Sequence, residues 1–465
     1  MKDVLKLLIA FLLYGGFAPL LGVCLTGRRT AQRIVFGLMI LMTGWRPGHF
    51  TFMIGSVETY RGHTKGFEIS LIEVLALALI VAVLRASRPS LNGGLVGRPS
   101  VPGLKLYFFW CSLAMFSVLG SAEPSYAWMA AFRFFKAGLI FAAAALYIRD
   151  DNDISWAVGA IGVALLHHGL LALKLRVFDG DYQVKGWFEH QNPMAMWCYL
   201  GAISLLGFLL HSRVKGLVFW LCLSGYLGAT LAILVSVSRA SLAALAVGSI
   251  SLFALALFRG FNRRIAGALV AGVLGIGVVS LFALDSFKAR MAQVSQSEEE
   301  VDEDLRDILN RQSAAMLRDE PFNGVGWNNF GIMNSRPRGV KYSEVLENWD
   351  EDRGFTVYEE NYLANPLTES LYWLWLAETG WLGFSGFILF LGASLMWPLC
   401  AALRLRGSIG GALAVALLVA LSICYAHGLV ERILTQTKNL SQWMILVGMG
   451  SGLLSYASAP KVRLN

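Results

Sequence analysis

The sequence predicts an all-α, polytopic integral membrane protein with about 12 to 13 transmembrane helices and one large hydrophilic loop domain. Three observations carry this. The chain is 56% hydrophobic and only 15% charged, against about 25% charge in ordinary soluble domains. Its apolar residues fall in runs long enough to cross a lipid core. The short loops between those runs collect Lys and Arg on alternate sides, as cationic segments that resist translocation do.

The runs are Val4 to Leu25, Ile34 to Ile54, Ile69 to Leu84, Leu106 to Leu119, Tyr126 to Ile148, Ile154 to Leu173, Pro193 to Leu210, Gly216 to Val235, Leu242 to Phe258, Ile265 to Leu284, Leu371 to Met396, Ile409 to Tyr425 and Leu440 to Tyr456. Backbone amides in hydrocarbon must be satisfied within their own segment, so each run is expected to be helix and not strand. Arg46, Pro47 and His49 interrupt the second run, which leaves twelve or thirteen spans open. The loops around Arg28, Arg29 and Arg33, Arg85 to Lys105, Arg259 to Arg264, and Arg404 and Arg406 form one cationic set, assigned to the cytoplasm. The segments around Gly180, Arg239, Ser286 to Pro366 and Glu431 then fall on the outer side.

Three regions follow: a bundle of about ten spans over residues 1–285, a loop domain at 286–366, and about three spans at 367–465. The loop carries sixteen acidic and nine basic residues, a balance of −7, so within a total formal charge of +8 the rest of the chain carries +15. That basicity is a topology signal and implies a lipid bilayer as partner, not nucleic acid. Six cysteines lie in or beside apolar runs without metal spacing, so neither a disulfide framework nor a metal site is expected. His167 and His168 are expected to pack within their helix.

Five polar clusters are candidates for chemistry. Arg239 stands among Ser236, Ser238 and Ser241, suited to bidentate contact with a phosphate or to snorkelling toward headgroups. Arg311 and Arg318, seven apart on one helix face, precede a Gly324 to Gly326 turn whose amides could approach an anion; salt bridges to nearby carboxylates are the alternative. Glu369 is expected in the first turn of an aromatic-rich helix, as a dipole-stabilised carboxylate or a base raised by burial, with Glu378 deeper. Lys185, Glu189, His190 and Asn192 sit beside the interface aromatics Trp187 and Trp197. Arg61, His63, Lys65 and Glu68 form the last group. Arg133 and Lys136 lie inside the fifth run with no evident acidic partner in sequence.

In order, GWFEHQNPMAMW, VSRASLAAL, RQSAAMLRDEPFNGVGWNNF and ESLYWLWLAETGWLG resemble the O-antigen ligase and polymerase superfamily of bacterial envelope enzymes, over about residues 120–390. The resemblance implies a multi-span glycosyltransferase of the bacterial inner membrane, acting on the periplasmic side and needing no cofactor or metal. Its donor would be an undecaprenyl-diphosphate-linked oligosaccharide and its acceptor a glycan hydroxyl, with inversion at the anomeric carbon. Arg239 and Arg311 would hold the diphosphate, helped by Arg318 or Lys185, while His190, Asn192, Ser238 and Arg61 are candidate donor or acceptor contacts. Where many members of the family carry His-Asn, this chain has Glu369 and Ser370, so Glu369 is the expected base. That departure favours a repeat-unit polymerase, with a chain-length regulator as a possible partner protein. The alternatives are a ligase to lipid A core, a protein O-oligosaccharyltransferase, or a lipid-linked glycan flippase.

Overall fold

With one exception near residue 50, the apolar runs become helices where the chain is described. The computed structural model describes residues 2–45, 51–57, 60, 62–87, 100–181, 183–258, 296–333 and 367–459. The helices are α1 (Lys2–Leu25, with a π-helical turn at Leu12–Phe17), α2 (Arg29–Gly44), α3 (Leu71–Ala86), α4 (Leu104–Met115), α5 (Pro124–Tyr147), α6 (Asp151–Val177) and α7 (Gln191–His211). They continue as α8 (Gly216–Ser236), α9 (Arg239–Leu257), α10 (Gln296–Asp319), α11 (Leu371–Arg404), α12 (Ile409–His427) and α13 (Thr437–Ser458). Among the described residues, eight helices are long and apolar enough to cross a membrane: α1, α5 to α9, α11 and α12. The runs at α2, α3, α4 and α13 are helical too, and the tenth run, Ile265 to Leu284, lies outside the described residues.

The end of the second run departs from the all-helix expectation. Thr51–Ile54 (β1) pairs antiparallel with Phe67–Ser70 (β2), Thr51 opposite Ser70 and Ile54 opposite Phe67. Non-helical backbone is tolerated in a membrane protein where protein or a polar cavity surrounds it, and both strands contribute to the wall of the cavity described below. Ser70 then ends β2 and caps α3, its hydroxyl accepting from Ile72 N at 3.2 Å.

Helix α7 is the centre of the bundle. It is apolar all round, and its most hydrophobic stretch is wholly buried within the protein. Small residues let its neighbours approach closely. A Cβ on Gly169 would lie 2.4 Å from the backbone of Gly228, and one on Gly162 would lie 2.4 Å from Leu221 O, so α6 and α8 meet backbone to backbone.

The described parts of the cationic loops gather at one end. Arg29 and Arg33 pair with Asp153, Arg33 at 2.8 Å, and Arg33 also reaches Asp150 at 3.0 Å. Those two aspartates form the capping box that starts α6. Ser455 donates to Ser100 O at 3.2 Å and Arg404 to Ser458 at 2.6 Å at the same end.

A break in α11 organises the opposite end. Gly380 has φ +59°, and a Cβ there would sit 2.3 Å from Phe322 O. The break frees helix carbonyls and amides, and residues 321–326 supply their partners. Val325 N donates to Ala377 O at 2.9 Å and Gly326 N to Glu378 O at 3.1 Å, while Trp381 N donates to Pro321 O at 2.8 Å and Leu382 N to Phe322 O at 3.1 Å. Below this seam Leu309 and Met316 of α10 bury against Leu367, Leu374 and Ala377, fastening the described part of the hydrophilic insertion to α11.

Buried charges inside the bundle are paired, which corrects the expectation for the fifth run. Lys136 Nζ lies 3.0 Å from Glu73 Oε1, and Arg133 Nε lies 3.9 Å from Glu68 Oε2; every side chain involved is buried. The partners come from β2 and α3, more than 60 residues earlier, so no local reading of α5 could find them.

Candidate functional site

Two carboxylates meet at the hairpin end of the bundle. Glu369 stands just before Ser370, the N-cap of α11, and not inside the first turn as expected, because the Ser370 hydroxyl takes the capping bond from Trp373 N. Its carboxylate is held 2.7 Å from Arg306 Nε on α10, and the adjacent Thr368 hydroxyl donates to Asn310 at 2.9 Å. Glu431, in the turn after α12, accepts a 2.8 Å hydrogen bond from Asn192 Nδ2 at the start of α7. Burial pushes the Glu431 carboxyl up to about 7, and the negative charge of Glu369 adds to this; Arg306, Arg432 and the Asn192 hydrogen bond pull the other way.

Glu378, two residues before the break, serves the scaffold. It is 1% exposed, and its carboxylate accepts from His63 Nε2 at 2.6 Å, Asn328 N at 2.9 Å and Phe330 N at 3.2 Å. A carboxylate taking amides on both oxygens calls for a donor from the imidazole, so His63 donates through Nε2 and Nδ1 is left as the ring's acceptor. The glycine turn expected to cradle an anion is therefore committed elsewhere. The amides of Val325, Gly326, Asn328 and Phe330 all point into α11 or its carboxylate.

Beyond Glu431 the chain enters the wall of a cavity of about 440 Å³. The lining includes Lys65, Arg133, Arg432 and Lys438 against Glu68 and Glu189, together with His63 and the aromatic side chains of Trp45, Trp187 and Phe188. Lys438 donates to Trp187 O and lies 4.4 Å over the Phe188 ring. Arg133 donates to His63 O and, at 3.0 Å, to the Thr437 hydroxyl.

The other candidates scatter around this core. Arg239 is exposed at the first turn of α9. The serines beside it are buried and spent on the joint between α8 and α9: Ser236 donates to Ile233 O at 2.6 Å, and Ser238 and Ser241 bond each other at 3.1 Å. Ser238 is thus a joint residue and not an open donor. Lys185 is exposed on a loop tied to the same joint, since Val184 N donates to Val235 O at 3.4 Å. Arg311 and Arg318 are both exposed on α10. His190 is the N-cap of α7, accepting from Asn192 N at 3.4 Å. Arg61 lies outside the described residues. His168 bonds Gly44 O at 3.0 Å, and among the described residues no cluster of three or more His, Cys, Asp or Glu side chains could hold a metal ion.

Sequence reading missed Glu431, Arg306 and Arg432. The only local signal was an acidic and a basic residue side by side in a short turn between two apolar runs. Their partners lie on other helices, Asn192 being 239 residues from Glu431.

No curated protein sequence matches the chain. Residues 217–388 match the family model described as O-antigen ligase. The matched stretch contains Arg239, α10, the loop docked on α11, Glu369 and Glu378, and stops short of Glu431. Over residues 217–388 the chain is therefore similar to the O-antigen ligase family, within a protein whose apolar helices mark it as a multi-pass membrane protein.

Proposed function

We propose that the protein is a periplasm-facing glycosyltransferase of the bacterial inner membrane that transfers an undecaprenyl-diphosphate-linked oligosaccharide to a glycan hydroxyl, as an O-antigen or exopolysaccharide polymerase. The observation that carries this reading is the Glu369 and Glu431 pair, a carboxyl raised to about 7 beside a second carboxylate, at the edge of the family-matched segment. A base that titrates near the working pH is suited to proton abstraction.

In this mechanism the acceptor hydroxyl attacks the anomeric carbon from the face opposite the diphosphate. The new C–O bond forms as the bond to the diphosphate breaks, inverting the centre, and the hydroxyl proton passes to the carboxylate pair. Glu431, its carboxyl raised by burial, takes that proton, while Glu369 is kept in place by Arg306. The exposed guanidinium groups of Arg239 and Arg311, with Arg318 or Lys185, neutralise the leaving diphosphate.

The test is incubation of the purified protein with a defined undecaprenyl-diphosphate oligosaccharide, reading products by mass. Longer lipid-linked glycans support polymerisation, and transfer to a lipid A core or protein acceptor supports ligation instead. A second reading, a lipid-linked glycan flippase, is favoured by the buried pairs Lys136–Glu73 and Arg133–Glu68, since intramembrane charge pairs often line transport paths. Movement of donor across vesicles with no covalent product would select it.

A further inference from the structure

We propose that the 440 Å³ cavity between the β1–β2 hairpin, the Trp187 loop and the start of α13 binds a glycan bearing carboxylate groups, an acidic acceptor end. This rests on the glycan-transfer reading and names a substrate class for it.

Three features of the cavity converge on such a ligand. Its size falls within the roughly 300–1,000 Å³ typical of small-molecule sites. Trp45 and Trp187, with ring centroids 4.7 Å apart, line it with flat apolar surface of the kind on which the C–H faces of sugar rings stack. Lys65 and Lys438 make no salt bridge among the described residues; Lys438 gives one N–H to Trp187 O and faces Glu189 across the cavity, and its remaining N–H donors can meet an anion. A polar acceptor completes the set. His63 Nδ1 is buried without a hydrogen-bond partner among the described residues, and its ring is locked from the far side by Glu378. A hydroxyl of the ligand would give this orphaned buried atom the hydrogen bond it lacks.

The cavity is also placed to serve the carboxylate pair. Glu431 is followed directly by Arg432 of the lining, and Asn192, which bonds Glu431, follows closely on the lining residues Trp187 to Glu189. A glycan end seated here would have its chain leading toward that pair.

The decisive measurement is equilibrium binding to the full-length protein in nanodiscs, read by intrinsic tryptophan fluorescence and by calorimetry. The probes are tetragalacturonate, a neutral tetrasaccharide of equal length, and farnesyl diphosphate as a stand-in for the lipid carrier's anion. Tetragalacturonate is expected to bind at least tenfold more tightly than the neutral sugar. Lys65→Met and Lys438→Met should each remove most of that preference, and Lys438→Arg should retain it. Lys65 lies on the hairpin, outside the helix core, so its variant tests charge even where Lys438→Met fails to fold. Equal binding of acidic and neutral sugars, no binding of either, or displacement of tetragalacturonate by farnesyl diphosphate would each overturn the assignment, the last by giving the cavity to the carrier. Binding is read without turnover. A protein that binds the acidic glycan and transfers none leaves this site standing and removes the transferase reading.

Discussion

Replacing Glu431 with Gln isolates the titration that distinguishes this site. A Glu that titrates near 7 in the folded protein and near 4.5 when unfolded binds its proton more tightly when folded. Its contribution to stability is therefore complete below pH 4.5 and disappears as the pH rises through 7. At about 1.4 kcal/mol per pH unit the difference is roughly 3 kcal/mol. Glu431→Gln keeps an acceptor for Asn192 and abolishes the titration. Thermal unfolding followed in detergent between pH 4.5 and 8 should show the wild type losing stability across that window relative to the variant. Catalysis should respond in the opposite sense, since the ionised form is the base: wild-type transfer rises with an apparent pKa near 7, and Glu431→Gln is slow and flat across that range. Glu369→Gln removes the neighbouring charge and leaves Arg306 acting on Glu431 alone, so any residual rate profile should move to lower pH. The reasoning fails if Glu431→Gln keeps the wild-type pH dependence of both stability and rate, or if Glu369→Gln moves the profile upward.

Three further outcomes are expected. Arg239→Ala should depress transfer strongly while Arg239→Lys retains part of it if charge dominates and little if bidentate geometry does, as steady-state rates with defined donor will show. Glu73→Gln should destabilise the bundle by about 3 to 5 kcal/mol by stranding Lys136, whereas the double change Glu73→Leu with Lys136→Met should recover most of the loss in thermal melts. Gly380→Ala should prevent stable folding, because its Cβ would collide with Phe322 O at a backbone angle that β-carbons disfavour; size-exclusion profiles of the expressed variant will report it.

The membrane architecture was legible in the sequence because each helix satisfies its own backbone and each apolar run declares itself within about twenty residues. The cationic loops marked one end for the same reason, being local clusters. The family resemblance was carried by motifs whose order is written along the chain, and the family match covers most of them. What FNGVGWNNF and LAETGWLG do for each other was not legible. Both read as candidate chemistry or turn, and in the structure they are the two halves of a seam closed by backbone hydrogen bonds and Glu378. The strand at Thr51–Ile54 was hidden in an apolar run because pairing with Phe67–Ser70 is a tertiary fact.

The sequence by itself therefore determined the solvent of this protein and the helical character of its apolar runs. Tertiary structure alone decided which charges meet. Glu431 acquires its raised carboxyl from burial and from Glu369, 62 residues away in sequence, and His63 is oriented by Glu378, 315 residues away. Proton affinity depends on through-space electrostatics at a few ångströms, and chain order does not encode those distances until the helices have packed.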